Sequence, residues 1–139
     1  MSSPAEPAAA ERRIGLVTIV VRDYDEAIRF YVDALGFTLV EDTPRGGKRW
    51  VVVSPSAAGR AITSLLLAEA ADDTQALAIG NQTGGRVAMF LETDDFERDH
   101  ARMSAAGVTF LEQPRHEPYG SVVVFEDCCG NRWDLIQPA

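Results

Sequence analysis

Few side chains in this chain have the type and setting to do chemistry. There are two histidines. His116 lies in the loop Arg115-His-Glu-Pro-Tyr-Gly120, where it could work with Glu117 as an acid–base pair near neutral pH. His100 stands among Glu97, Arg98, Asp99 and Arg102 and reads as a solvated helix residue. The single lysine, Lys48, sits in a Gly-Gly-Lys-Arg turn, so Schiff-base chemistry has one candidate. Cys128 and Cys129 are adjacent, which excludes both a disulfide framework and a Cys-x-x-Cys spacing, and no basic residue adjoins them to activate a thiol. Neither Gly46-Gly47 nor Gly84-Gly85 fits a phosphate-binding or dinucleotide fingerprint.

The sharpest candidate is Asp134. Strand alternation over Arg132–Gln137 puts Arg132, Asp134 and Ile136 on one face. A buried carboxylate is costly unless paired. Asp134 is therefore expected either to pin the sheet through an ion pair with Arg86 or Arg132, or to face a ligand as a recognition group or general base.

Hydrophobic periodicity supplies the elements that would position these residues. A β-branched run, Ile14–Val21, reads as a strand. Asp23 with Glu26 has the form of a capping box. Tyr24, Ala27, Ile28, Tyr31 and Leu35 line one helical face, and Gly36 ends the helix. Strands follow at Phe37–Glu41, Trp50–Val53 and Ile62–Leu67. Residues 69–85 are polar and turn-rich and read as a linker. After it come a strand at Arg86–Thr93, a helix at Phe96–Ala106 stopped by Gly107, a strand at Val108–Glu112 and a loop at Pro114–Gly120. Strands at Ser121–Glu126 and Arg132–Gln137 complete the chain, joined by the turn Asp127–Asn131. The order β-α-β-β-β occurs twice, over about 13–68 and 86–138. Gly36-Phe-Thr-Leu-Val-Glu41 repeats as Gly107-Val-Thr-Phe-Leu-Glu112, an offset of 71 residues. A fixed internal period marks a duplicated unit.

Composition narrows the classes of partner. The chain has 139 residues, 46% hydrophobic and 24% charged, which suits one globular domain. Its net charge of −8 disfavours nucleic acid and anionic membranes and favours a cationic ligand. No apolar run is long enough to span a bilayer. Residues 1–12 lack the regions of a signal peptide and read as a disordered tail, so the expected location is the cytoplasm.

The pattern resembles the vicinal oxygen chelate superfamily, which includes glyoxalase I, bleomycin-resistance proteins and extradiol dioxygenases. The carriers are Val-Arg-Asp23-Tyr-Asp-Glu-Ala-Ile-Arg-Phe-Tyr31, Leu35-Gly36-Phe37, Leu-Glu-Thr-Asp-Asp95-Phe, Pro118-Tyr-Gly120 and Phe125-Glu-Asp127-Cys-Cys-Gly130-Asn-Arg-Trp-Asp134-Leu. The resemblance implies an α+β fold in which two βαβββ modules curl into cups, commonly in a homodimer. It also implies that metal-binding members carry a His or Glu on the first strand and a Glu or Asp on the fourth strand of each module. Here those positions fall at Leu16, at Thr63 or Leu65, at Ala88 and at Asp134. One carboxylate is too few for a catalytic divalent cation, so no metal cofactor is expected. The expected function is binding of a small organic molecule, aromatic or cationic, in a metal-free cup. The alternatives are an enzyme of the same superfamily, either a glyoxalase-like lyase or dioxygenase with a rebuilt metal site or a metal-independent isomerase or lyase using Asp134, Arg86 and His116, and a scaffold domain without a ligand. Expected lining residues are Leu16, Thr18, Trp50, Arg86, Ala88, Phe90, Tyr119, Arg132 and Asp134. At least two of the aromatics Trp50, Phe90, Tyr119 and Trp133 are expected to be ordinary core.

Overall fold

The computed structural model describes residues 11–139. The expected tail at 1–12 falls mostly on positions 1–10, outside the described residues. Strand β1 (Leu16–Val21) leads into α1 (Tyr24–Ile28), which continues as a π-helical segment, Arg29–Ala34. Then come β2 (Thr38–Arg45), β3 (Lys48–Ser54) and β4 (Ser64–Glu69). The linker holds a one-turn helix, α2 (Asp73–Ala76), capped by Asp72. The second module runs through β5 (Val87–Glu92), α3 (Phe96–Ala105), β6 (Arg115–Glu117), β7 (Gly120–Glu126) and β8 (Arg132–Pro138). Each module forms a four-stranded mixed sheet, ordered β1-β4-β3-β2 and β5-β8-β7-β6. The identical order is the structural counterpart of the sequence repeat.

Both helix starts are set by side chains that satisfy orphan amides. Asp23 accepts from the Glu26 N–H at 2.8 Å, and Asp95 from the Arg98 N–H at 3.1 Å. Both helices stop at a glycine with positive φ, Gly36 at +76° and Gly107 at +82°. The Arg102 guanidinium, the mobile end of a long side chain, lies over Gly36, 2.4 Å from where a Cβ would stand, whereas nothing lies within 4 Å at Gly107.

One strand is not where periodicity puts it. Residues 108–112 make only an isolated bridge, Phe110 to Phe125, and the paired strand lies at Arg115–Glu117, inside the expected loop. The reason is local competition for the β7 amides. The Glu112 carboxylate accepts the Val124 N–H at 3.0 Å, displacing a backbone ladder carbonyl, and Pro114 has no N–H to give.

The two sheets share one core. Ile19, Val21, Val51, Val53, Leu65 and Leu67 of the first cluster with Val123, Phe125, Trp133 and Leu135 of the second, around Tyr31 and Phe37 of the first helix and its exit. Trp133 stands 5.8 Å from the Tyr31 ring centroid and 6.2 Å from that of Phe37. Within this core lies a carboxylate, Asp127, 6% exposed. It receives six hydrogen bonds. One oxygen takes the backbone N–H groups of Cys129, Gly130 and Asn131, and the other takes the Tyr31 hydroxyl, the Asn131 amide and the Trp133 indole N–H. Full hydrogen bonding is what makes a buried carboxylate tolerable. The Tyr31 bond, 2.8 Å across 96 residues of chain, ties the first module's helix to the second module's turn. Gln82 adds a second tie. Its side chain bonds Val20 N–H and Thr18 C=O on the open edge of β1, and its backbone N–H donates to Asn131.

Tyr31→Phe removes only the hydroxyl and leaves one Asp127 oxygen short of a donor. It is expected to lower unfolding free energy by ~1.5–3 kcal/mol, the range for a hydrogen bond to a charged group, read from denaturant melts with an unchanged m-value.

Candidate functional site

Because one face of each sheet feeds the shared core, the other faces point away from it. On the first sheet the outward face carries Leu16, Thr18, Leu66 and Trp50, as the register Leu16–Ser64, Thr18–Leu66 and Val52–Leu66 requires. Trp50, Leu66 and Ala68 line a cleft of about 330 Å³ with Arg45 and Gln75, and the Arg45 guanidinium lies 5.0 Å from the Trp50 ring centroid. On the second sheet the pairs Phe90–Asp134, Val124–Asp134 and Arg115–Val122 put Phe90, Asp134, Val124 and Arg115 on one face.

The chemistry is concentrated on this second face. Arg115 donates to Glu112 at 2.8 Å, to Glu117 at 3.2 Å and to the Tyr119 hydroxyl at 3.4 Å. Glu112 and Arg115 act electrostatically on Asp134. Asp134 makes no ion pair among the described residues, and its Oδ1 is buried without a hydrogen-bond partner. Burial holds the Asp134 carboxyl above the usual carboxylate range. Glu112 pushes in the same direction and Arg115 opposes it. The cluster Asp134, Glu112, Glu117 and Arg115 is net acidic and suits a cation or a hydrogen-bond donor.

The structure redistributes several expected partners. The expected ion pair of Asp134 with Arg86 or Arg132 does not form. Arg86 lies before β5 in an exposed bend, and Arg132 bonds the Gly85 carbonyl at 3.3 Å. Ala88 is the extra residue of a β-bulge, since Val87 pairs with Arg132 and Met89 with Trp133. His116 is separated from Asp134, because its partner Ser121 lies on the opposite face of β7 from Val122 and Val124. Its Nδ1 is 2.9 Å from the Ser121 hydroxyl. Of the four aromatics only Trp133 is core. It occupies a core-facing position, while Phe90 and Tyr119 are 63% and 55% exposed and Trp50 is half-buried on an outward face. Sequence reasoning missed Glu112 and Arg115. Alternation would have exposed Arg115, given the correct position of β6.

Register also corrects the family's metal positions. Leu66, between Thr18 and Val52, occupies in the first sheet the place that Asp134, between Phe90 and Val124, occupies in the second. Leu65 faces the core, and Thr63 is exposed just ahead of β4. Thr63 instead donates to the Ile14 carbonyl at 2.6 Å. The four positions thus hold Leu16, Leu66, Val87 or the bulged Ala88, and Asp134. This donor set does not fit a divalent cation, which takes about three protein ligands.

Elsewhere the fold supplies a basic partner for the cysteines. Arg22, 106 residues away, donates to the Cys128 carbonyl at 2.9 Å and pairs with Glu26. The two sulfurs are 3.9 Å apart. The hydrogen bond from Cys128 pulls the Cys129 thiol down to about 7, with Arg22 assisting against burial. The same hydrogen bond, together with burial, pushes Cys128 up.

Two modules of this topology, in this register, define a glyoxalase-like fold. The chain belongs to the Glyoxalase/Bleomycin resistance protein/Dioxygenase superfamily, which residues 13–135 match. It is 54% identical over 123 residues to an uncharacterized protein of Shewanella frigidimarina (strain NCIMB 400), covering 87% of this chain and 90% of that one. Among solved structures it is similar to UcmS2 (TM-score 0.79, 29% identity, covering 91% of this chain and 98% of that one). It is also similar to TnmS3, an antibiotic binding protein from Streptomyces sp. CB03234 (TM-score 0.74, 32% identity, covering 94% and 99%).

The raised Asp134 carboxyl has a measurable consequence. A group whose folded pKa exceeds its unfolded value stabilises the fold below the unfolded pKa and loses that contribution as pH rises through the folded one. Asp134→Asn should therefore be more stable than the parent at pH 7. The advantage should disappear as pH falls below the ordinary carboxylate range, followed by chemical denaturation across pH.

Proposed function

We propose that this protein binds a small aromatic molecule carrying a cationic or hydrogen-bond-donating group, without a metal ion. The observation that carries this reading is the buried, unpartnered Oδ1 of Asp134 beside exposed Phe90. A buried acceptor without a donor is costly, and a ligand N–H or O–H would complete it. The net acidity of the surrounding cluster favours a cation, and Phe90 and Trp50 offer ring surfaces for stacking. Hydrocarbon at three of the four family ligand positions supports recognition without metal chemistry. The likeness to TnmS3, itself an antibiotic binding protein, supports binding of a small molecule.

The reading includes a homodimer. The outward face of each sheet is half of a cup, and both halves turn away from the core that joins them. Closing a cup therefore calls for the first sheet of one copy against the second sheet of another. Trp50 and Arg45 would then oppose Asp134 and Phe90 across the bound molecule.

A panel of aromatic natural products, with and without amine substituents, tests this by thermal shift and calorimetry. Binding at a hundredfold excess over Kd stabilises by ~2.7 kcal/mol. Asp134→Asn should weaken an aminated ligand about tenfold or more and leave a neutral apolar analogue unchanged. Light scattering should give twice the chain mass. A monomer without ligand response, or a stoichiometric metal lost in Asp134→Asn, would overturn the proposal.

A further inference from the structure

A second group of potential ligands lies away from both outward faces. Glu26 on α1 and Cys128 and Cys129 in the β7–β8 turn bring one carboxylate oxygen and two sulfurs within 4.8 Å of one another. From this arrangement we propose a thiophilic divalent cation site, for Zn²⁺ or a chemically similar ion, at the junction of the two modules.

The geometry suits such an ion in three respects. With metal–sulfur bonds of about 2.3 Å, sulfurs 3.9 Å apart subtend about 115° at the metal, close to a tetrahedral angle. Adjacent cysteines therefore reach the bite that zinc sites usually obtain from a Cys-x-x-Cys spacing. Second, the salt bridge from Arg22 uses Glu26 Oε1, and among the described residues nothing hydrogen-bonds Oε2. Glu26 thus keeps one oxygen free of hydrogen bonds among the described residues, and a carboxylate oxygen of Glu26 lies within 4.8 Å of both sulfurs. Third, the donors are held in place before binding. Asp127 fixes the turn through the N–H groups of Cys129, Gly130 and Asn131. Gly80 closes against its back, since a Cβ there would lie 2.0 Å from the Cys129 carbonyl oxygen. Such orientation by surrounding groups governs metal affinity as much as the ligands do.

Charge also balances. Two thiolates and Glu26 carry three negative charges, and Arg22 offsets one. The remaining two match a divalent cation. Both cysteines bind as thiolates, so at neutral pH Cys128 releases a proton and Cys129 the fraction it still holds, between one and two per ion. Water completes a four-coordinate shell. The bound ion would fasten the first module's helix to the second module's turn, alongside the Tyr31–Asp127 bond, and so acts on stability. The site shares no residue with the proposed ligand cup, and either can fail without the other.

The test uses the full chain, fully reduced, stripped with a chelator and titrated with Zn²⁺ or Cd²⁺. One ion per chain, between one and two protons released at neutral pH, a thiolate-to-metal absorption band with Cd²⁺ and a raised melting temperature are expected. Cys128→Ser and Cys129→Ser should each cut the band by half or more. Glu26→Gln should weaken binding by at least the ~10–100-fold that loss of an orienting partner costs. A readout on the unaltered chain guards against variants that fail to fold. Saturating Zn²⁺ should protect both cysteines from iodoacetamide, followed by peptide mass spectrometry. Alkylation at the same rate with and without Zn²⁺, or a Cd²⁺ band of undiminished intensity in Cys129→Ser, would overturn the site.

Discussion

Everything positioned in this molecule depends on the buried carboxylate of Asp127. A charge in a core must either be neutralised or be surrounded by donors, and here six donors converge on two oxygens. They come from both modules. The three backbone amides fold the β7–β8 turn back on itself, which sets the register from which β8, and hence Asp134, projects. The Tyr31 hydroxyl then brings the first helix against that turn. Burial and the neighbouring carboxylate push the Tyr31 hydroxyl well above its usual range, so it stays protonated and donates at any physiological pH. A single satisfied charge thus does what a longer apolar seam would otherwise do, and adds direction to it.

The contrast with Asp134 shows how one residue type serves two ends. Both carboxylates lie on or beside the same hairpin, seven residues apart in sequence. Asp127 faces inward and is saturated. Asp134 faces outward, with one oxygen sheltered from water and left without a donor. Structural polar groups are completed by the chain itself, whereas recognition groups are left for something else to complete. Arg115, the nearest cation, is engaged with Glu112, Glu117 and Tyr119 and does not quench it.

Much of this architecture is legible in the residues alone. The capping aspartates, the apolar stripe of the first helix and the duplicated Gly-x-Thr block announce two equal modules, because local propensity and periodicity agree there. Periodicity fails at 108–112, where Glu112 substitutes its side chain for a backbone partner. No hydropathy pattern records that exchange. The displaced strand also sets the site, because β6 turns Arg115 to the Asp134 face and His116 to the opposite one. The bulge at Ala88 and the Leu66 equivalence were hidden for a related reason, since a constant offset cannot reveal an inserted residue. Asp127 read as an ordinary turn residue because its donors lie up to 96 positions away.

The two glycines that end the helices carry a different lesson. Gly36 and Gly107 descend from one position of the repeated unit and share a left-handed backbone. Only Gly36 is also pressed by a guanidinium from the other module. An asparagine, tolerant of that backbone, has open space at 107, whereas at 36 it would have to push the Arg102 guanidinium aside. Once two copies of a unit lie against each other, their matching positions no longer have the same surroundings. The half that receives its neighbour's side chains must fit around them, and the half that sends them ends in open space.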